Sequence, residues 1–297
     1  MNESQKLPDE VHIAHVHLQV SNLSRALNFY SGVLGLPEVK REKGTAFLSA
    51  TGQPPYEVIL TEIANAVPQS KTQSGLFHVA FRFPSRTALA NVLLNLVKHN
   101  WPLQGAADHL VSEAIYLPDA DGLGIELYQD RPRATWPQNG DSIEMATLPL
   151  DLQTLIQQAN QQDQEYEIDP RSEIGHVHLQ VSDLRQAERF YHTGLGLDIM
   201  QRNFPGALFL AAGGYHHHLG VNIWNSRGSG SAAPNAVGLR SYAFQFPSEA
   251  SWISVQKRLE ASGYVIEGTF DHGYAVSAQA RDEDGIAVEL LVNNTVH

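Results

Sequence analysis

The sequence contains no cysteine. Without thiols the chain cannot form disulfides, an iron–sulfur cluster, a thiolate zinc site or a cysteine nucleophile, so any bound metal must be held by histidine and carboxylate. Basic residues are also scarce, with 20 Lys+Arg against 32 Asp+Glu and a formal net charge of -12. The charge balance argues against a basic face that would bind nucleic acid, so no such partner is expected.

Long apolar segments are absent as well. No run approaches the ~20 apolar residues that a membrane span requires, and the polar start MNESQKLPDE lacks the apolar centre of a signal peptide. We therefore expect a soluble, cytoplasmic protein with no membrane partner. The 297 residues, 42% of them hydrophobic, are enough for about two globular domains. The 14 histidines are a high number, and their positions are the main clue to function.

An internal repeat divides the chain. The segment His15–Leu36 matches His176–Leu197 at 14 of 22 positions with an offset of 161, and GLFHVAFRFPS at Gly75 matches GLRSYAFQFPS at Gly238 with an offset of 163. This duplication predicts a first domain over residues 10–131, a linker over 132–171 and a second domain over 172–294. Each domain also repeats a strand-then-helix pattern within itself, so the chain is predicted to contain four similar quarters.

Each quarter begins with an alternating strand, of which His176–Val181 is the clearest, and continues with an amphipathic helix and further short strands. Ser182 or Asp183 is the candidate N-cap of that helix, and Ser85 that of the corresponding helix in the second quarter. The pattern predicts an α+β fold of four βαβββ modules in two domains, with curved, cup-like mixed sheets and helices on the outer face. The linker is predicted to contain one helix near Leu150–Asn160 and no functional residues.

Strand alternation assigns several polar residues to the open face of these sheets, away from the helices. A histidine or glutamate at a strand centre is usually an ordinary exposed residue, but matching positions in repeated strands are what a non-haem metal site requires: neutral imidazoles and one carboxylate. In YHHHLGVNIW the same alternation predicts that His217 points away from the open face. The residues predicted to point to it are His15, His78, Glu126, His176, His216, His218 and Asn222.

The pattern HVHLQVSDLRQAERFYHTGLGL, together with a histidine strand and DADGLGIEL, resembles the vicinal oxygen chelate superfamily of glyoxalases, bleomycin resistance proteins and extradiol dioxygenases. The resemblance covers nearly the whole chain outside the linker and is strongest to two-domain catechol 2,3-dioxygenases. It implies a metal, Fe(II) or less often Mn(II), held by two histidines and one glutamate. It also implies a catechol-type substrate and O2, and it is compatible with a homo-oligomer.

The resemblance implies metal ligands at His78 and Glu126, with a third from either His176 or His15. It implies catalytic roles for the histidine run, in which His218 is the acid–base candidate and His216 shares its face, and for the pair upstream of the glutamate. That pair is His109 and Tyr116, and the remaining substrate-binding candidates are Asn222 and His178.

Neither domain carries this full set, because the second has Ser241 where the first has His78, and Gln279 where the first has Tyr116. Only the second half of domain 1 combined with the first half of domain 2 is complete. We therefore expect one site across the two domains, and a degenerate partner from His15, Tyr56, Ser241 and Glu289. A site within domain 1, from His15, His78 and Glu126, is the alternative.

The expected reaction is extradiol cleavage of catechol or a substituted catechol to a 2-hydroxymuconic semialdehyde-type product. Two alternatives remain open at the level of sequence. One is a glyoxalase-like isomerase or lyase, in which His218 becomes a fourth ligand of Ni(II) or Zn(II). The other is a metal-free small-molecule-binding protein of the same fold.

Overall fold

The computed structural model describes residues 6–140, 142–160 and 166–294. Parts of the predicted linker, residue 141 and residues 161–165, lie outside these ranges. None of the helices within the described part of the chain is both long and apolar enough to span a membrane.

The first half of the chain contains two βαβββ modules. The first helix continues directly into a π-helical turn over Asn28–Val33. The elements are β1 (His12–Val20), α1 (Leu23–Leu27), β2 (Glu38–Glu42), β3 (Thr45–Leu48), β4 (Val58–Glu62), β5 (Gly75–Phe83), α2 (Arg86–Lys98), β6 (Gly105–Asp108), β7 (Ser112–Pro118) and β8 (Gly124–Asp130).

The segment that follows contains short elements only, and its helix falls inside the predicted range. After a 3-10 turn over Arg133–Thr135 come β9 (Gln138–Asn139), β10 (Ser142–Ile143), β11 (Leu148–Pro149) and α3 (Leu152–Ile156).

The second half repeats the two modules, again with a π-helical turn, Arg189–Gly194, after the first helix. Its elements are β12 (Glu173–Gln180), α4 (Leu184–Glu188), β13 (Asp198–Gln201), β14 (Ala207–Ala211), β15 (Leu219–Asn222), β16 (Gly238–Phe246), α5 (Glu249–Ala261), β17 (Glu267–Asp271), β18 (Ala275–Arg281) and β19 (Ala287–Asn293). The α+β class and the four βαβββ modules are therefore confirmed.

The helices begin where the side-chain chemistry predicts. The Ser85 hydroxyl accepts a hydrogen bond from the Ala88 N–H at the start of α2, and the Asp183 carboxylate accepts from two N–H groups at the start of α4. These contacts satisfy backbone donors that have no partner within the helix. Asp183 rather than Ser182 is therefore the N-cap of α4.

The strands form two large sheets, and each sheet combines four strands of the first repeat with four of the second; the larger sheet also includes β11 from the linker. One has the order β17-β18-β19-β16-β1-β4-β3-β2 and the other β11-β6-β7-β8-β5-β12-β15-β14-β13. In the second, β5 pairs antiparallel with β12, so the second half of one repeat is hydrogen-bonded to the first half of the other. We call this the β5–β12 sheet and the other the β1–β16 sheet.

Gly175 illustrates how closely the two repeats approach. It lies at an irregularity of the β5–β12 pairing, and a Cβ atom there would overlap the Tyr128 hydroxyl and press on Arg82. A β-bulge next to a functional site commonly re-aims the side chains beside it.

We expect Gly175→Ala to lower the free energy of unfolding by about 1–3 kcal/mol, because Tyr128 is fully buried and must move to make room. Urea unfolding measures this, with Gly105→Ala as the control, since nothing lies within 4 Å of a Cβ built at Gly105. Equal unfolding midpoints for the two variants would contradict the packing described here.

Candidate metal centre

Three buried side chains converge at the centre of the β5–β12 sheet. Glu126 Oε2 lies 2.9 Å from His78 Nε2 and 3.2 Å from His176 Nε2, and the two Nε2 atoms are 3.2 Å apart. Strand register explains the convergence: Ala80 of β5 is paired with His176 of β12 on one side and with Glu126 of β8 on the other. The small side chain of Ala80 leaves room between them.

Hydrogen bonds alone do not account for this triangle. Each imidazole Nε2 carries at most one hydrogen, and each neutral ring carries only one N–H. If both Nε2 atoms donate to Glu126, the two N–H groups face each other at 3.2 Å; if one donates to the other, a lone pair faces the carboxylate. A cation inside the triangle removes this conflict, because all three atoms then offer lone pairs to it.

The spacing also fits an ion. Two ligand atoms at ~2.1 Å from a metal, at right angles to each other, are about 3.0 Å apart. The three observed separations lie within a few tenths of an ångström of that value. Two histidines and one carboxylate on one face of an octahedron form the facial triad of non-haem iron sites, with the other positions open.

The charges of these three groups also favour a bound cation. Burial alone would raise the pKa of Glu126, but His176 and His78 lower it, and the net pKa lies well below the usual value. Burial lowers the pKa of His176 to about 4, so at neutral pH this imidazole is uncharged while the carboxylate is ionised. A buried carboxylate without a cationic partner is costly. A divalent cation compensates this charge.

A cavity of about 390 Å³ opens beside the triad. His78 and Glu126 form part of its wall, so a metal held there faces the cavity. Most of its remaining wall is apolar and aromatic, from Phe77, Phe204, Phe209, Trp224, Val111 and Ile125. The volume and composition are typical of a site for one small, largely apolar molecule.

The pair predicted upstream of Glu126 also lines this cavity. His109 Nε2 lies 2.6 Å from the Tyr116 hydroxyl, and His109 Nδ1 lies 2.6 Å from the carbonyl oxygen of Ala146. Since a carbonyl only accepts, Nδ1 carries the hydrogen, and in neutral His109 the Tyr116 hydroxyl donates to Nε2. The two side chains therefore act as one hydrogen-bonded unit.

Ala146 belongs to the linker, for which the sequence predicted no functional residues, yet the structure places part of this linker at the cavity. Met145, Ala146 and Thr147 all line the cavity. Further along the same segment, Trp136 is buried, with its ring centre 5.2 Å from that of His216. Such contacts depend on how the segment folds back over the sheet, and composition carries no signal for that.

The histidine run is oriented differently from the prediction. His217, which alternation turned away from the open face, lines the cavity and lies 4.1 Å, ring centre to ring centre, from His176. His216 and His218 are not among the cavity-lining residues. The physical reason is that β15 begins only at Leu219, so the two-residue periodicity of a strand does not extend back through the run.

Each neighbour of His217 has a different environment. His216 is fully buried and its Nε2 lies 2.8 Å from Asp130 Oδ1. His218 Nδ1 accepts a hydrogen bond from the Ala212 N–H, and burial lowers the pKa of His218 to about 3. His218 is therefore held by a hydrogen bond to the backbone outside the cavity wall.

The two candidate substrate-binding residues are also separated by the structure. His178 lines the cavity, and its Nε2 has no hydrogen-bond partner among the described residues. A Cβ at Gly220 would lie 2.9 Å from the His178 ring, so glycine is needed beside it. Asn222 is fully buried outside the cavity wall, where its side-chain oxygen accepts a hydrogen bond from the backbone N–H of Trp224.

The β1–β16 sheet contains the degenerate counterpart. Glu289 accepts hydrogen bonds from the hydroxyls of Ser241 (2.6 Å) and Ser277 (3.0 Å), and His15 Nε2 is 3.7 Å from its carboxylate. The site within domain 1 is therefore not formed, because His15 lies beside Glu289 and not beside His78. Within the described ranges, His78, Glu126 and His176 are the one close group of three metal-ligating side chains.

Comparison with known proteins agrees with the fold and with the expected family. Residues 12–127 and 173–290, more than half of the chain, match the Glyoxalase/Bleomycin resistance protein/Dioxygenase superfamily. The chain belongs to this superfamily. It is 38% identical over 264 residues to a catechol-2,3-dioxygenase of Bacillus subtilis (strain 168), an alignment that covers 88% of this chain and 92% of the relative.

Two solved structures share the fold at low sequence identity. A Bacillus subtilis protein provisionally described as a dioxygenase superposes with a TM-score of 0.69 at 15% identity, covering 98% of this chain and 87% of the other. Glyoxalase I from Zea mays superposes with a TM-score of 0.58 at 17% identity, covering 96% and 93%. At such identities the likeness concerns the fold.

Proposed function

We propose that this protein cleaves the ring of a catechol-type diol with O2, beside the two hydroxyl groups, at an Fe(II) ion held by His78, His176 and Glu126. The observation that carries the proposal is the 2.9–3.2 Å triangle of two imidazole nitrogens and one carboxylate oxygen at the wall of an aromatic cavity. The catechol-2,3-dioxygenase relative supports the choice of reaction. Mn(II) is the alternative ion, since it accepts the same ligands.

When bound, the metal would bring diol and O2 together and lower the pKa of the phenol. The cavity itself would bind the aromatic ring, since Phe77, Phe209 and Trp224 form apolar walls around a space suited to one small molecule. Both oxygen atoms of O2 enter the product, a 2-hydroxymuconic semialdehyde-type compound, so the overall reaction needs no external reductant.

His217 is the base that this geometry favours. It lines the cavity beside the triad, and burial holds its pKa well below the usual value, so its ring is neutral. A neutral imidazole can take a proton from the second hydroxyl group of the diol and return it later. We therefore assign to His217 the acid–base role that the sequence suggested for His218 or His216.

The His109–Tyr116 unit would stabilise charge on the substrate. Tyr116 lines the cavity, and its hydroxyl is oriented by His109, whose ring is held in turn by the carbonyl oxygen of Ala146. Oriented donors of this kind act on the charge that develops during the reaction. His178, with its unpartnered Nε2, would bind a polar substituent of the substrate.

A glyoxalase-like reaction is supported less well. That alternative requires a fourth protein ligand, for which the sequence offered His218. Within the described residues the close group of ligating side chains has three members, and His218 Nδ1 is already hydrogen-bonded to the backbone. Three ligands leave the positions that a diol and O2 need together.

The direct test is O2 uptake by anaerobically purified, Fe(II)-loaded protein on addition of catechol. We expect oxygen consumption in equimolar amount to a yellow ring-cleavage product. The protein loaded with Zn(II) is the control, because a metal without redox chemistry should bind at the triad and support no uptake. Absence of uptake with catechol and with alkyl-substituted catechols in the Fe(II) protein would rule out the proposed reaction.

A further inference from the structure

A chain of three side chains runs from the end of β8 to the cavity. Asp130 Oδ1 lies 2.8 Å from His216 Nε2, and His216 Nδ1 lies 2.7 Å from His217 Nδ1. We propose that Asp130 and His216 are positioning residues that fix the hydrogen of His217 on Nδ1, so that its bare Nε2 is the nitrogen presented to the cavity. This inference rests on the proposed function only in giving His217 its role as the base.

The assignment follows from counting donors and acceptors. An ionised carboxylate only accepts, so His216 in its neutral form carries its one hydrogen on Nε2, facing Asp130. His216 Nδ1 is then a bare acceptor. The 2.7 Å contact between the two Nδ1 atoms requires one donor, which must be the Nδ1–H of His217. Nε2 of His217 is left without a hydrogen and can accept a proton.

The surroundings of Asp130 keep it ionised. Arg82 Nη1 lies 3.2 Å from Asp130 Oδ2, and the Tyr215 hydroxyl donates to the same oxygen at 2.9 Å. Burial by itself raises the pKa of Asp130, but the hydrogen bond from His216 and the charge of Arg82 bring the net pKa below the usual value. The carboxylate therefore accepts from His216 at neutral pH.

The ring of His216 is also held in place by packing. It is fully buried, with the ring centre of Tyr215 at 4.1 Å and that of Trp136 at 5.2 Å. A fixed ring preserves the direction of both hydrogen bonds, which is what a positioning residue must do. This also gives the buried linker residue Trp136 a part in orienting the site.

The degenerate centre provides an internal comparison. The pairings Val16–Val58 and Val177–Leu219 make Tyr56 the register equivalent of His217 and Pro55 that of His216. Strand β8 pairs with β5 in the same parallel register in which β19 pairs with β16, and this register makes Asn293 the equivalent of Asp130. All three members of this hydrogen-bonded series are thus absent from the centre in which Ser241 replaces His78, as expected if they work as a unit with the metal site.

The test uses Asp130→Asn, which retains shape but can present an N–H to His216 and reverse the hydrogen-bond chain. In Zn(II)-loaded protein with 15N-labelled histidine rings, the His217 signals, identified by their loss in His217→Gln, should show hydrogen on Nδ1 in the parent and a shift toward Nε2 in the variant. In the Fe(II) protein, kcat should fall roughly 10- to 100-fold. KM and metal content should be unchanged.

The control is Glu173→Gln, the same chemical change at the other carboxylate partner of Arg82, which should alter neither the tautomer nor kcat. His216→Phe, which removes the acceptor for His217, should act like Asp130→Asn and gives a second variant if the first does not fold. An unchanged His217 tautomer in folded variants would overturn the inference. Failure of the proposed function can be distinguished from failure of this inference. In the first case the parent protein would show no O2 uptake, while the NMR signals of His217 would still report which nitrogen carries the hydrogen.

Discussion

Substitution Glu126→Ala is expected to reduce bound Fe(II) from one equivalent per chain to background, while the protein remains folded. Glu126 supplies the only negative charge of the triad and is 3% exposed, so without it a divalent cation faces two neutral imidazoles in a buried site. We expect kcat for ring cleavage to fall by at least ~10³-fold, because the catalysis supplied by the metal is lost with it. Metal analysis and O2 uptake on the same samples measure both effects.

The duplication supplies a matched control for this experiment. Glu289 occupies the equivalent strand position, but the hydroxyls of Ser241 and Ser277 hydrogen-bond its carboxylate. Glu289→Ala should therefore retain the full metal content, with a loss of stability at most comparable to that of other buried hydrogen-bonded groups, about 1–3 kcal/mol. Equal loss of metal in both variants would contradict a single site in the β5–β12 sheet.

Substitution His217→Gln should lower kcat by about 10²- to 10⁴-fold, the usual contribution of a positioned acid–base group. Metal content should be retained, since His217 is not one of the three converging side chains. Steady-state kinetics together with metal analysis separates these two properties.

His218→Gln is the comparison, because His218 is adjacent in sequence yet its Nδ1 is hydrogen-bonded to the backbone N–H of Ala212. We expect it to lower thermal stability and to leave kcat of the folded protein within about threefold of the parent, since His218 is outside the cavity wall and its hydrogen bond is to the backbone. The reverse outcome, with a large kcat loss at His218 and a small one at His217, would return the role of base to the residue that sequence reasoning chose.

Regular strands made the triad predictable from sequence. His78, Glu126 and His176 lie well inside β5, β8 and β12, where alternation fixes which face a side chain occupies. The second repeat has Ser241 and Gln279 where the first has His78 and Tyr116, and this difference indicated which two halves form the metal site. The pairing of β5 with β12 is the contact that brings these two halves together.

Residues outside regular strands were not predictable in the same way. The run His216–His218 lies in the turn before β15, where no two-residue period applies, and so the cavity-facing histidine was assigned wrongly. Trp136 and Met145 reach the site through the tertiary path of the linker. Asp130, at the end of β8, is part of no sequence motif that we identified. Its proposed role depends on contact with His216, which is 86 positions away in sequence.

The most direct test of the central claim is an anomalous difference map, measured at the iron absorption edge, from crystals grown anaerobically with Fe(II). The account predicts one peak per chain, inside the triangle of His78 Nε2, His176 Nε2 and Glu126 Oε2. A peak at Glu289 and His15, or an ion bound by none of the three side chains, would contradict it.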